Sequence, residues 1–320
     1  MRRNPVRDEG QHVRVRMMID IQEGVSWEQW QALALAAEAA DVDLFSSDHY
    51  ASFHSGRTGG LDAWATLAGV ASMTKRIRLG TLMSPVGFRH PSVLARIVTT
   101  VDHISAGRVE LGLGTGWLED EYHMNGLPFP SQRERFEHLA EQIEIVIRTW
   151  TEDRWDHDGP RYRLRDQTGA PRNVQRPHPP LIMGASARPR SLALAGRYAQ
   201  EYNIVFCAPE RCSEVRAKLD GACDAAGRDP AALRLSLMTP AALGEDEADA
   251  RARLQRIMRA TGRDPDGDVP RHWIVGTVEQ AAATLAAYAR NGVECVYLQN
   301  HDRANDETVA LLGRLAKMVS

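Results

Sequence analysis

The sequence predicts a (β/α)8 TIM barrel. Three observations carry that prediction. Short apolar runs of strand character alternate with stretches of helical period from residue 14 to the C-terminus, eight such strand-helix units fit in the chain, and no Gly/Ser linker or compositional break divides it. At 320 residues the chain is long enough to bury a large core. A doubly wound open sheet is the competing arrangement for the same alternation.

In chain order, a strand is read at 14–21 (RVRMMIDI), a helix at 27–40 and a strand at 42–47. Helix 62–73 leads to strand 77–84, and helix 91–104 leads to strand 108–114, where Val109, Leu111 and Leu113 set an alternating apolar rhythm. The next good helical pattern begins only at 131, behind the proline-containing GLPFP, and runs to 151. Its charges alternate, as on the solvated face of an amphipathic helix. Strand 181–185, helix 190–199, strand 202–207, helix 209–226, strand 233–239, helices 246–260 and 278–290, strand 294–299 and helix 306–318 complete the series. Two interruptions, 155–180 and 262–273, lie outside the repeat. Residues 1–13 read as a flexible polar tail, leaving 14–320 as one domain.

A formal charge of −3 and a pI near 6.4 give no global reason to expect a nucleic-acid or anionic-membrane partner. The basic opening lacks the apolar core of a signal peptide, and no run is long enough to span a bilayer, so a cytoplasmic protein is expected. Cys207, Cys212, Cys223 and Cys295 form no C-x-x-C pair or zinc-type spacing with His, which argues against a disulfide frame or structural metal. Serine-hydrolase, phosphate-loop and zinc-protease motifs are absent, and His49 with His54 makes no metal pair. Arg161, Arg163, Arg165, Arg172 and Arg176 fall between a helix and the next strand, which places them at the N-terminal face as a solvated hairpin or rim.

The run RVELGLGTGWLEDEY puts Gly112, Gly114 and Gly116 at alternate positions. A dinucleotide fingerprint needs G-x-G-x-x-G with a helix starting inside it, and both spacing and context fail here. At the C-terminal end of a fourth barrel strand, glycines either admit a flat ligand close to the backbone or simply relieve crowding. The turn GASARP after the fifth strand offers helix N-terminal amides, the Ser186 hydroxyl and the Arg188 charge: an anion site, or an ordinary N-cap. Asp48-His49 ends the second strand, where a histidine suits proton exchange with a substrate, or is merely a rim residue satisfied by Asp48.

Residues 81–146, with SDHY at 47–50, RPHPPLIMGASARPRSLALAGRYA at 176–199 and VGTVEQAAATLAAYARNGV at 275–293, resemble the luciferase-like monooxygenase superfamily. The likeness is to its coenzyme F420 (deazaflavin)-dependent oxidoreductase branch. It implies a cofactor ring lying across the C-terminal mouth, against Gly114, Thr115 and Gly116. It also implies a bulge at Met83-Ser84, often with a non-proline cis peptide, bracing the ring, although Ser84-Pro85 also reads as a plain extended exit from a strand. By the same likeness Gly184, Ala185, Ser186, Ala187 and Arg188 take the cofactor phosphate, and Tyr122 reaches the same region or serves as a rim aromatic. His49 then lies near the reacting carbon as acid, base or stabiliser, with Asp48 beside it. Sugar-phosphate dehydrogenases of the family read G-T-G-E where this chain has Trp117, so that activity is not expected and Trp117 walls the substrate pocket.

The implied function is hydride transfer between F420 and a small organic substrate. The alternatives are an FMN-dependent two-component monooxygenase supplied by a flavin reductase, and a non-catalytic flavin-binding barrel. A homodimer is expected from the family.

Overall fold

The computed structural model describes residues 12–53, 59–184, 186–301 and 306–320. Eight parallel strands close into a barrel: β1 (Arg14–Ile19), β2 (Asp43–Ser46), β3 (Leu79–Thr81) continued by β4 (Ser84–Pro85), β5 (Val109–Gly114), β8 (Leu181–Gly184), β9 (Glu201–Val205), β10 (Arg234–Gly244) and β12 (Cys295–Gln299). Each pairs with the next, and β12 pairs with both β10 and β1, which shuts the ring and excludes an open sheet. Outside lie α1 (Trp27–Ala40), α2 (Ala63–Met73), α3 (Pro91–Ile104), α5 (Gln132–Thr151), α6 (Pro189–Tyr198), α7 (Pro209–Ala225), α9 (Val278–Arg290) and α10 (Asp306–Val319). Several start where their side chains dictate: Ser26, Ser131 and Thr277 each accept from the amide three residues on, while Gln29, Glu134 and Gln280 reach back.

Strand register sorts the side chains. Arg16 aligns with Asp43, Met18 with Phe45, Gly112 with Ile182 and Gly184 with Asn203, so these face the lumen. Val109, Leu111 and Leu113 face the helices and join the large apolar shell between strands and helices. The lumen has a charged floor, in which Arg16 donates to Glu110 (2.9 Å), Asp43 (3.1 Å) and Tyr297 (2.5 Å). Burial works against the Glu110 carboxylate, but Arg16 and Arg78 outweigh it and hold its pKa down at about 2. Above the floor sit Met18, Phe45, Ile182 and Tyr297, so the barrel is packed and anything bound must lie at its mouth.

Four features differ from the sequence reading. Val13, assigned to the tail, is buried, and its amide donates to the Val319 carbonyl at 3.2 Å. A short helix, α4 (Glu119–Met124), precedes 131, its acidic first turn suiting the positive end of the helix dipole. The 155–180 interruption contains a hairpin, β6 (Arg154–Asp158) and β7 (Arg163–Thr168), that folds back along α5. His157 meets Glu141 at 3.0 Å, and the Arg161 guanidinium donates to the Glu134 carbonyl at 3.2 Å, so the tip with Arg161 and Tyr162 stands by the mouth-side end of α5 rather than at the opposite face.

The fourth difference is at β10, which overruns 239 and pairs beyond the barrel with an extra strand, β11 (Ile274–Thr277). Helix α8 (Glu247–Ala260) and the 262–273 segment span this excursion. They bring His272 to the mouth, where its carbonyl accepts from Thr239 Oγ1 (2.6 Å) and its ring lies 5.2 Å from that of Phe206. Among the described residues no helix is long and apolar enough to cross a membrane.

Candidate active site

β2 delivers Ser47, Asp48 and His49 to the rim, all buried. Asp48 does not pair with its neighbour. Its carboxylate takes Ser84 Oγ (2.6 Å) and the Arg89 guanidinium (2.6 and 3.2 Å), and Arg89 also bridges to Asp62 and to the Tyr50 hydroxyl (3.0 Å). Burial pushes the Asp48 carboxyl above its ordinary pKa, with Arg89 and Ser84 pulling the other way without fully offsetting it. The same anions hold the Arg89 guanidinium charged despite its burial. Ser84 has no spare capacity: besides donating to Asp48 it accepts from Trp64 Nε1 (3.0 Å) and sits 3.2 Å from Thr81 Oγ1.

His49 is held instead by Glu121 of α4, a residue the sequence reading missed. Glu121 is fully buried, and its Oε2 lies 2.7 Å from His49 Nδ1. Its Oε1 accepts the backbone amides of Tyr50 and Ala51, the latter at 3.1 Å. An ionised carboxylate is an acceptor only, so Nδ1 carries a proton toward it, and in the neutral ring the lone pair is on Nε2. The ring stands edge-on to Phe53 (4.8 Å) and Trp117 (6.1 Å), in an aromatic corner that lowers the local dielectric. Trp117 is 62% exposed, as the wall of an open pocket would be. Glu121 was concealed by its surroundings, because EDEY reads as one more solvated acidic run.

The glycines serve several masters. A Cβ on Gly112 would come within 2.1 Å of the Thr81 carbonyl oxygen, so this position is glycine because two strands meet there. Gly116, at φ +72°, has Tyr122 pressed against it. Tyr122 is buried and donates its hydroxyl to the Val86 carbonyl (2.6 Å), beneath the rim. At Gly114, which is buried, a Cβ would meet only Met83 carbons, at 3.4 Å and beyond, an ordinary packing contact. The Met83 side chain also reaches over Gly184.

The cis peptide is Leu82-Met83, one bond before the expected Met83-Ser84; Ser84 is already extended and in register with Leu113 of β5. Thr115 is half-buried beside Gly114.

At the start of α6, Ser186 and Arg188 are exposed. Ser191 accepts from the Arg188 amide (3.2 Å), and the Tyr202 hydroxyl accepts from the Ala187 amide (3.0 Å). This helix N-terminus with an exposed guanidinium and hydroxyl fits a phosphate. Ala185 lies outside the described residues. The structure thus brings His49 and Trp117 together, gathers Asp48 with Ser84 behind them, and places Met83, Gly114 and Gly184 on a separate side of the mouth.

Comparison with known proteins agrees with this fold. Residues 13–295 match the luciferase-like monooxygenase family. The F420-dependent hydroxymycolic acid dehydrogenase of Mycobacterium tuberculosis is 32% identical over 267 residues, 77% of this chain and 71% of the relative. Among solved structures, an F420-dependent secondary alcohol dehydrogenase in complex with an F420-acetone adduct superposes with a TM-score of 0.78 at 17% identity, covering 97% of this chain and 99% of that one. The FMN-bound oxygenating constituent of 3,6-diketocamphane monooxygenase from Pseudomonas putida does so with a TM-score of 0.73 at 16% identity, covering 96% and 98%. Identities this low bear on the fold alone.

Proposed function

The chain belongs to the luciferase-like monooxygenase family, an oxidoreductase family with both F420-dependent and flavin-dependent members, and we propose that it is an F420-dependent oxidoreductase acting on a small organic substrate. The observation that carries this reading is the His49-Glu121 pair. Taking a hydride from a carbinol requires a base for the hydroxyl proton, and Nε2 of His49 is such a base, fixed in tautomer and set in an aromatic corner at the mouth. The relationship to the F420-dependent hydroxymycolic acid dehydrogenase supports the same choice.

F420, when bound, supplies the carbon that exchanges the hydride. The residues fit such a group: Ser186, Arg188 and the α6 amides would hold its phosphate, and its ring would lie by Met83 and Gly114, where no side chain stands on the strand end. Phe53 and Trp117 flank the proton path and would shut water out of it once a substrate fills the pocket. Asp48, sequestered by Arg89 and Ser84, anchors the loop that carries His49 and touches no reacting atom.

Fluorescence titration with F420 and FMN side by side tests the reading. F420 is expected to bind more tightly, and Arg188→Ala to weaken it about tenfold, the low end for a charge-assisted hydrogen bond. FMN binding tenfold tighter than F420, with oxygen consumed on turnover, would overturn the proposal in favour of the monooxygenase.

A further inference from the structure

The turn that opens α6 is shaped from behind by a residue of the next strand. Strand alternation on β9 turns Glu201 and Asn203 into the lumen and Tyr202 outward, where it is fully buried in the shell. The Tyr202 hydroxyl accepts the Ala187 amide at 3.0 Å and lies 2.8 Å from Ser191 Oγ. Ser191 Oγ, buried as well, accepts the Arg188 amide at 3.2 Å and lies 2.9 Å from the Arg188 carbonyl.

Each of the two hydroxyls has a single proton, which fixes the direction of every bond. The Arg188 carbonyl can only accept, so Ser191 spends its proton there, and the phenol must donate to Ser191. The acceptor side of the phenol is then committed to the Ala187 amide. Tyr202 thus closes a small network that ties two successive amides of the turn, those of Ala187 and Arg188, to buried oxygens.

Two features show what this network enforces. Ala187 has φ +34°, a left-handed backbone that a residue with a Cβ keeps only where its surroundings hold it. Arg188 is the N-cap of α6, and a guanidinium has no acceptor, so no side chain caps the first-turn amides of the helix. The bend at Ala187 therefore carries the chain from β8 into α6 with those amides uncapped, and with Ser186 and Arg188 exposed at the same helix end.

We propose that Tyr202 is a positioning residue for the cofactor phosphate: without touching the ligand, it holds the turn in the shape that presents these donors. The inference rests on the reading above, which seats the phosphate at this turn. A phenylalanine would fill the same space, leave the Ala187 amide without its acceptor and let the bend relax.

The test is binding and needs no turnover. Two ligand pairs are titrated by fluorescence against the wild type and Tyr202→Phe: F420 with its deazaflavin-ribityl portion, which stops short of the phosphate, and FMN with riboflavin, which differ by the phosphate alone. The wild type should prefer the phosphate-bearing member of each pair. The variant should lose about tenfold of that preference while binding the phosphate-free members as before, and its Ala187 amide should exchange with solvent about tenfold faster. Ser191→Ala, which removes the other end of the phenol's bond, should give the same split and serves if the first variant does not fold.

Unchanged exchange or an unchanged preference in a folded variant overturns the proposal. So does an equal loss for both members of a pair, the mark of a phenol needed only for packing. Failure of the underlying reading looks different. A wild type indifferent to the phosphate removes that group from the turn, and the role of Tyr202 with it. FMN bound more tightly than F420 changes the cofactor, and the FMN and riboflavin pair still decides the role of Tyr202.

Discussion

Glu121→Gln should reverse the tautomer of His49. The two acceptor positions of Glu121 are not equivalent: one faces the amides of Tyr50 and Ala51, the other faces Nδ1 at 2.7 Å. In the variant the backbone donors demand the side-chain oxygen, so the new NH2 lands opposite Nδ1. An NH2 donates, and Nδ1 must then give up its proton and accept, moving the proton to Nε2. A hydrogen bond to a charged group is worth about 1.5–3 kcal/mol, and at 1.4 kcal/mol per decade the native tautomer is favoured by roughly tenfold to a hundredfold. The substitution removes that bias and installs the opposite one.

The assay is the 15N spectrum of histidine-labelled protein, in which the two ring nitrogens of a neutral imidazole are well separated. The wild type should show His49 protonated at Nδ1, and the variant at Nε2, with the fold unchanged because both backbone amides keep their acceptor. Activity should follow. An analogous carboxylate-to-amide change beside the histidine of a serine protease costs about 10⁴ in kcat, and general-base catalysis contributes about 10²–10⁴, so F420-dependent turnover should fall by at least about a hundredfold. F420 affinity should stay within a few-fold, because Glu121 is buried behind His49. An Nε2–H tautomer in the wild type, or the same tautomer in both proteins, would refute the reasoning.

Two further perturbations separate fold from function. Arg89→Met leaves Asp48 buried without its cation and should cost about 3–5 kcal/mol, a Tm loss of roughly 4–7 °C in calorimetry. The sign with pH follows from Asp48: its folded pKa is already raised, and losing Arg89 raises it further, so its contribution is favourable below that pKa and is lost as pH rises through it. The Tm deficit of the variant should therefore narrow on acidification from about pH 7 towards pH 5, and a deficit that widens would contradict the assignment. Gly112→Ala drives a Cβ into the Thr81 carbonyl and should lower stability by about 1–3 kcal/mol, whereas Gly114→Ala meets only ordinary contacts and should leave the melting of the cofactor-free protein unchanged. If the ring lies over Gly114, that second variant loses F420 affinity about tenfold, so unaltered affinity would move the ring elsewhere.

The strands and most helices were legible because they rest on periodicity, which a chain states locally. Lumen-facing Gly112 and Gly114 and shell-facing Leu111 and Leu113 follow from alternation alone. What stayed hidden required knowing which distant side chains meet. His49 and Asp48 are adjacent in sequence, and adjacency suggested a pair. A strand end turns successive side chains in different directions, so Asp48 faces Arg89 while His49 faces Glu121, 72 positions away.

Nor was the division of labour among the glycines readable, since nothing local marks Gly112 as a place where only glycine fits and Gly114 as one where a Cβ would meet ordinary contacts. Chemistry in this barrel is set by which partner a neighbouring strand has already taken: Arg89 and Ser84 take Asp48, and Glu121 is left to orient His49.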